Sequence, residues 1–338
     1  MAKLLEIKDL RTYFHVDEGT VKAVDGVSIS IDRQQTVGIV GESGCGKTIT
    51  AQSILQIMPH PGRIEGGQIL YYPDPDGEPV DLAALSPRGR KLRAMRGNEI
   101  AFIFQEPMSA LSPIHTIGNQ IMEALMIHND GMSQSEARQK ALAMLESVGM
   151  PNPEQRIDEY TFQLSGGMRQ RAMIAMSLAC SPKLLIADEP TTAIDVTLQA
   201  QILELLKRLK DEQGMSVLII THDLAVVAEM ADEVVVMYLG KVVERGSVKD
   251  VYKNPSHPYT RALLDSIPRV GQERRKFLTA IKGTVPDPYS IPKGCEFQPR
   301  CEHAMEGLCE VRKPEYAEIS PGHIARCFLY THNESEVG

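Results

Sequence analysis

The sequence predicts an α/β fold built on a parallel sheet, followed by a loop-rich C-terminal region. Three observations carry this. Four short, almost wholly apolar runs, at 37–41, 100–104, 184–187 and 217–220, have the composition of strands covered on both faces. A Gly-rich loop at 41–48 joins the first run to a helix-compatible stretch, 48–57. From Asn254 the texture changes: Pro falls at 255, 258, 268, 286, 288, 292, 299, 314 and 321, and four of the six Cys lie beyond residue 290.

The elements follow in order. Residues 4–14 and 21–32 alternate in hydrophobicity and read as strands joined by an Asp-Glu-Gly turn. Ser133 with Glu136 makes a capping box before a helix that Gly149 and Pro151 stop. Residues 196–213 read as a helix ended by Gly214, and 233–246 as a hairpin turning near Gly240. Arg88, Arg90, Lys91, Arg93 and Arg96 read as a solvated helix face.

A chain of 338 residues has length for about two domains, and 43% hydrophobic residues supply a core. The net charge of −8 argues against a dedicated nucleic-acid binder, which presents a basic face. The N-terminus alternates apolar and charged residues, unlike a secretory signal. No run approaches the ~20 apolar residues of a membrane span. The expectation is a soluble, cytoplasmic protein, in which a Cys cluster suggests metal or catalysis before disulfides.

The loop Gly41-Glu42-Ser43-Gly44-Cys45-Gly46-Lys47-Thr48 fits G-x-x-x-x-G-K-[ST]. Its glycines let backbone N–H groups cradle phosphate oxygens, Lys47 reaches the outer phosphates, and the Thr48 hydroxyl ligates Mg²⁺. The run at 184–187 ends in Asp188 and Glu189. Asp188 suits Mg²⁺, and Glu189 suits the polarisation of an attacking water. Gln105 ends the second run and can sense Mg²⁺ or water; His222 follows the fourth and can hydrogen-bond a γ-phosphate.

Leu164-Ser165-Gly166-Gly167-Met168 decides among phosphate-loop classes. With the motifs above, and Ala193-Ile194-Asp195 in its place between Glu189 and His222, it closely resembles the signature of ATP-binding-cassette ATPases. The resemblance covers nearly the whole chain. It implies a P-loop NTPase cassette over 1–253, with an antiparallel β subdomain and a helical subdomain at about 106–180. Two such domains would pair head to tail with two ATP molecules between them. Each site would take the phosphate loop from one subunit and Ser165-Gly166-Gly167 from the other. Tyr13, or less favourably Phe14, would stack on adenine; Asp195 would sit at the seam; Glu189 would be the general base with His222 as its switch partner. Met168 stands where the family most often has Gln, and Ile194 where it most often has Leu.

Cys295, Cys301, Cys309 and Cys327 have spacing C-x5-C-x7-C-x17-C, and four soft ligands suit Zn²⁺ or an iron–sulfur cluster alike. Asn254-Pro-Ser-His-Pro-Tyr-Thr260, Leu263 to Pro268, and Gly294-Cys-Glu-Phe-Gln-Pro-Arg-Cys301 resemble the C-terminal extension, here 254–338, of dipeptide and oligopeptide importer ATPases. That resemblance implies a 4Fe-4S cluster, with Zn²⁺ as the alternative and a structural rather than redox role. Cys45 and Cys180 fall outside this set.

The whole then reads as the ATPase subunit of an importer for peptides or related solutes, peripheral on the cytoplasmic face of the plasma membrane. A second, homologous ATPase would complete a heterodimer. Two permeases would insert coupling helices near Glu106–Pro113, and an extracytoplasmic binding protein would deliver solute. The competing reading is a soluble cassette ATPase of DNA repair or translation. One cassette, without a heptad arm, counts against it.

Overall fold

The computed structural model describes residues 2–106, 110–192, 195–267 and 281–331. Its strands are β1 (Lys3–Val16), β2 (Gly19–Asp32), β3 (Thr36–Val40), β4 (Gly62–Tyr71), β5 (Val80–Asp81), β6 (Ile100–Ile103), β7 (Leu184–Asp188), β8 (Ser216–Ile220), β9 (Glu233–Tyr238), β10 (Lys241–Ser247), β11 (Tyr316–Ser320) and β12 (His323–Arg326). Its α-helices are α1 (Lys47–Leu55), α2 (Arg90–Met95), α3 (Ile117–His128), α4 (Gln134–Ser147), α5 (Pro153–Arg156), α6 (Gly166–Leu178), α7 (Val196–Gln213), α8 (Leu224–Met230), α9 (Val248–Lys253), α10 (Pro258–Asp265) and α11 (Phe328–Thr331). Two compact units divide the chain. One comprises Met1–Leu5, Ile31–Thr36 and Tyr71–Ile220; the other comprises Glu6–Ser30, Val37–Leu70 and Thr221–Gly338.

In the first unit β6, β7 and β8 run parallel, with Ile100 opposite Leu184 and Leu184 opposite Ser216. Every residue of β7 and β8 is buried, as their unbroken apolar composition requires. The capping box forms as expected: the Ser133 hydroxyl accepts from Glu136 N–H, and the Glu136 carboxylate accepts from Ser133 N–H. Gly214 ends α7 in the left-handed conformation, donating its N–H to Lys210 O. Helices α3, α4 and α6 bury apolar faces through Ile121, Leu125, Ala141, Leu145, Ala172 and Met173. In α2 Leu92 and Met95 are buried while Arg90, Lys91 and Arg93 are exposed; Arg88 precedes the helix, and Arg96, its C-cap, is half-buried.

In the second unit β1 is hydrogen-bonded between β2 and β4. Strand β3 lies parallel to β9, from Val37 opposite Glu233 to Val40 opposite Val236. The β9–β10 hairpin turns over Leu239 and Gly240, with φ of 44° and 76°. Two consecutive left-handed residues match the twist of the flanking strands.

The C-terminal region departs from the sequence reading. It does not stand apart as loops. Strand β12 pairs with the edge of β10, Glu244 opposite Ala325, and β11 pairs with β12. Tyr259, Leu264 and Phe297 join Val40, Val236 and Tyr238 in one apolar core. The edge strand was hidden because His323-Ile-Ala-Arg326 has polar residues at both ends, as an exposed segment would. Those polar groups are buried and paired: His323 Nε2 lies 2.7 Å from Glu244 Oε1, and Arg326 Nη1 donates to Glu296 Oε2 at 2.8 Å.

Candidate active site

The phosphate loop lies in the second unit, between buried β3 and helix α1. Gly41, Cys45, Gly46 and Lys47 are buried, while Ser43 and Gly44 are exposed. Gly46 shows why the pattern needs glycine: its φ is 102°, and a Cβ there would stand 2.1 Å from Ala23 O. At Gly44, φ is 77° and a Cβ would meet nothing within 4 Å, so the loop's crest faces open space. The β9–β10 turn pins the loop from below, Gly240 N–H donating to Cys45 O at 2.9 Å. The Lys47 ammonium donates to Gly41 O at 2.7 Å and Glu42 O at 3.0 Å, curling over its own loop. Burial, outweighing Lys47 nearby, raises the Cys45 thiol above its usual pKa. That thiol therefore stays neutral.

Tyr13 is half-buried on β1, and its hydroxyl donates to Asp25 Oδ1 at 2.6 Å. Burial first, then this bond, pushes the phenol up to about 12. Burial alone would raise Asp25, but hydrogen bonds from Lys241 and Tyr13 outweigh it and hold the carboxyl at about 2. Phe14 is committed elsewhere: its ring stands against Gly62, where a Cβ would come within 2.7 Å. The Tyr13 ring has its own neighbour, the Lys22 ammonium lying over its face 5.5 Å from the ring centre.

In the first unit, Asp188 closes β7 and is 2% exposed. Glu189 follows with φ of 47°, a left-handed conformation that costs a non-glycine residue about 1 kcal/mol or more. The turn is held by Glu189 N–H to Ile220 O at 2.8 Å. Its carboxylate Oε2 accepts from Gln105 Nε2 at 2.9 Å and from Thr192 Oγ1 at 2.8 Å. So the structure brings Gln105 and Glu189 together across 84 positions, and adds Thr192, which no sequence pattern singled out. Such a bend aims the carboxylate past the strand end, where it can hold and polarise a water.

The signature forms the start of α6. The exposed Ser165 is its N-cap, the hydroxyl accepting from Met168 N–H at 3.4 Å. Gly167 admits Leu198, whose Cδ2 would lie 2.8 Å from a Cβ there. Ser165, Gly166, Gly167 and Asp195 line one open concavity, with Arg171 on its wall. Asp195 also caps α7, accepting from Leu198 N–H at 2.9 Å. A helix N-terminus, a serine hydroxyl and an arginine facing one opening suit a phosphate group. Ala193 and Ile194 of the seam loop, and residues 107–109 of the expected docking groove, lie outside the described residues.

In the second unit, His222 is exposed after β8, where Thr221 N–H donates to Ile39 O. Asp223 beside it caps α8 through Ala225 N–H.

Cys295, Cys301, Cys309 and Cys327 line a single pocket with Phe297, Met305 and Phe328. Burial pushes the Cys295 thiol up to about 12 and Cys327 to about 11. Among the described residues no group of three or more His, Cys, Asp or Glu is gathered to hold a metal ion. A preformed tetrahedral Zn²⁺ site is thus not among them. No preformed iron–sulfur site is gathered among them either; the four cysteines line one apolar pocket.

Sequence distance misplaced this region. The cysteines lie far along the chain from the phosphate loop, yet Arg300, next to Cys301, donates to the Glu42 carboxylate, and Tyr259 Oη accepts from Glu42 N–H. A separation of 258 residues leaves no local signal for that contact.

Residues 24–192 match the ABC transporter family, and residues 243–309 match the oligopeptide/dipeptide transporter C-terminal region. A probable peptide ABC transporter ATP-binding protein of Sinorhizobium fredii is 49% identical over 326 residues, covering 96% of this chain and 94% of that one. The oligopeptide transport ATP-binding protein AppD of Bacillus subtilis is 48% identical over 340 residues, covering 99% of each. Among solved structures, a dimeric ATP-binding cassette in a post-hydrolysis state bound to ADP and Pi aligns at TM-score 0.63 with 27% identity, over 72% of this chain and 99% of that one. The fold is that of a P-loop ATPase cassette. The chain belongs to the ABC transporter ATP-binding family and carries the C-terminal region of its oligopeptide/dipeptide branch. Among the described residues no helix is long and apolar enough to cross a membrane.

Proposed function

We propose that this chain binds and hydrolyses ATP to power an importer of peptides or related solutes. The observation that carries the reading is the Glu189 carboxylate, turned out of β7 in a left-handed bend and held by Gln105 and Thr192. Around it we assign roles residue by residue. Gly41, Ser43, Gly44, Cys45, Gly46 and Lys47 form the phosphate cradle, and Tyr13 stacks on adenine. Thr48, Gln105 and Asp188 serve Mg²⁺, which when bound supplies charge neutralisation at the β- and γ-phosphates. Glu189 accepts the proton of the attacking water, Gln105 fixes that carboxylate, and His222 reports the γ-phosphate. Ser165, Gly166 and Gly167 receive the phosphates of a second subunit, with Asp195 at the seam.

The partners in this reading are a second homologous ATPase, two permeases and an extracytoplasmic binding protein. The chain then sits at the cytoplasmic face. Ile114, Ile127 and Phe162 are 76%, 65% and 63% exposed, apolar side chains that a partner's helix could cover. The cassette is taken as 1–253 and the extension as 254–338. We assign a 4Fe-4S cluster to the chamber of Cys295, Cys301, Cys309 and Cys327; bound, it would cross-link the extension.

The test is anaerobic purification of the chain co-expressed with its permeases and partner ATPase, then reconstitution in vesicles with the binding protein. The expected result is co-purification, ATP hydrolysis stimulated by peptide-loaded binding protein, and iron with sulfide in the complex. Hydrolysis indifferent to every permease and peptide would contradict the importer reading. Zinc in place of iron would contradict the cluster.

A further inference from the structure

Glu42 is second in the phosphate loop, and no role above uses it. A carboxylate there is a liability beside an anionic ligand, because like charges repel strongly where water is partly excluded. Two residues of the C-terminal region engage it. Its N–H donates to Tyr259 Oη at 2.8 Å. Its two oxygens accept from Arg300 Nη1 at 2.6 Å and Nη2 at 3.0 Å, a bidentate pair. Arg300 is fixed in turn. Its Nε donates to Lys282 O at 3.0 Å, Nη1 reaches Tyr238 Oη at 3.4 Å, and its guanidinium lies 5.8 Å from the Tyr238 ring centre. Its side chain is 3% exposed. Tyr259 is fully buried. The fork is therefore preorganised and its charge is directed at one carboxylate.

We propose that Arg300 and Tyr259 are positioning residues for the ATPase reaction: they neutralise Glu42 and fix the first half of the phosphate loop, so that the loop accepts a nucleoside triphosphate. This rests on reading 41–48 as the ATP cradle. The pairing has a consequence that a mere staple lacks. Removing Arg300 alone leaves an unneutralised carboxylate in the phosphate loop, whereas removing both charges does not. The Glu42 substitution should then rescue the Arg300 substitution.

The test measures equilibrium binding of radiolabelled ATP with Mg²⁺, and steady-state hydrolysis, on the full chain. For Arg300→Met, ATP affinity should fall and KM rise about tenfold, with kcat changed less than about threefold. Glu42→Gln added to Arg300→Met should recover most of the affinity, and Arg300→Lys should lose less than Arg300→Met. Tyr259→Phe, which removes only the acceptor of Glu42 N–H, should weaken ATP about twofold to threefold. Wild-type affinity in Arg300→Met, or no rescue by Glu42→Gln, overturns the proposal. If Arg300→Met does not fold, unchanged affinity in Tyr259→Phe overturns it instead. Lys47→Ala separates the two levels: wild-type ATP affinity there would refute the cradle itself, while loss there with none in Arg300→Met refutes only the positioning role.

Discussion

Asp25 shows how one carboxylate ties the candidate adenine platform to its strand. It accepts from Tyr13 and Lys241 at 2.6 and 2.7 Å. Its folded pKa, about 2, lies below that of an unfolded aspartate, so the unfolded chain binds the proton first. The stability is fully present above roughly pH 4. It is lost as pH falls toward about 2. Because the site is partly solvated, the contribution is about 1 kcal/mol. Thermal unfolding of Asp25→Asn should therefore show a shallower fall in Tm between pH 5 and pH 3 than wild type, with the two converging in acid. Identical slopes would mean that Asp25 is unpaired in solution. Residues of this kind were not legible in the sequence. Tyr13 could be nominated from its strand, but Lys241 lies 216 positions from its carboxylate. Lys47, Asp188 and Glu189 could be nominated because their chemistry needs fixed local spacing, and the loop and strand end that display them are local structures.

At the scale of elements, strands with one kind of neighbour were readable and the strand with a mixed one was not. Strands β3, β7 and β8 announce themselves because burial on both faces demands unbroken apolar runs. Strand β12 hides because its buried polar groups are matched by Glu244 on β10 and by Glu296. Glu244 is fully buried and accepts from Ser256 N–H at 2.7 Å and His257 N–H at 2.8 Å, so one side chain joins β10, β12 and the entry to α10. Glu244→Ala would leave two backbone donors and an imidazole without their acceptor in a dry site. The expected loss is about 3–5 kcal/mol, read as a shift in the denaturant midpoint at constant m-value. A loss below about 1 kcal/mol would show that β12 is not bound there through Glu244. Proline-rich texture set the C-terminal region apart in the sequence, yet Pro258 opens a helix, and Tyr259, Leu264 and Phe297 belong to the core of the second unit.

At the scale of the whole molecule, the chain belongs to a family whose members couple nucleotide to transport through partners. ATP drives such a machine only by preferring one conformation, in the proposed reading the closed pair of subunits, and hydrolysis must then remove that preference. In the proposed mechanism Glu189 is the residue on which this turns. Glu189→Gln keeps the shape of the side chain, and the amide oxygen can still accept from Thr192, but the proton acceptor is gone. The decisive measurement is single-turnover ATP hydrolysis by Glu189→Gln, followed alongside ATP binding and sedimentation. Hydrolysis should fall by a factor of about 100 or more while ATP binding persists and an ATP-dependent dimer accumulates. Hydrolysis near the wild-type rate would contradict the assignment of the base, and with it the mechanism proposed for this chain.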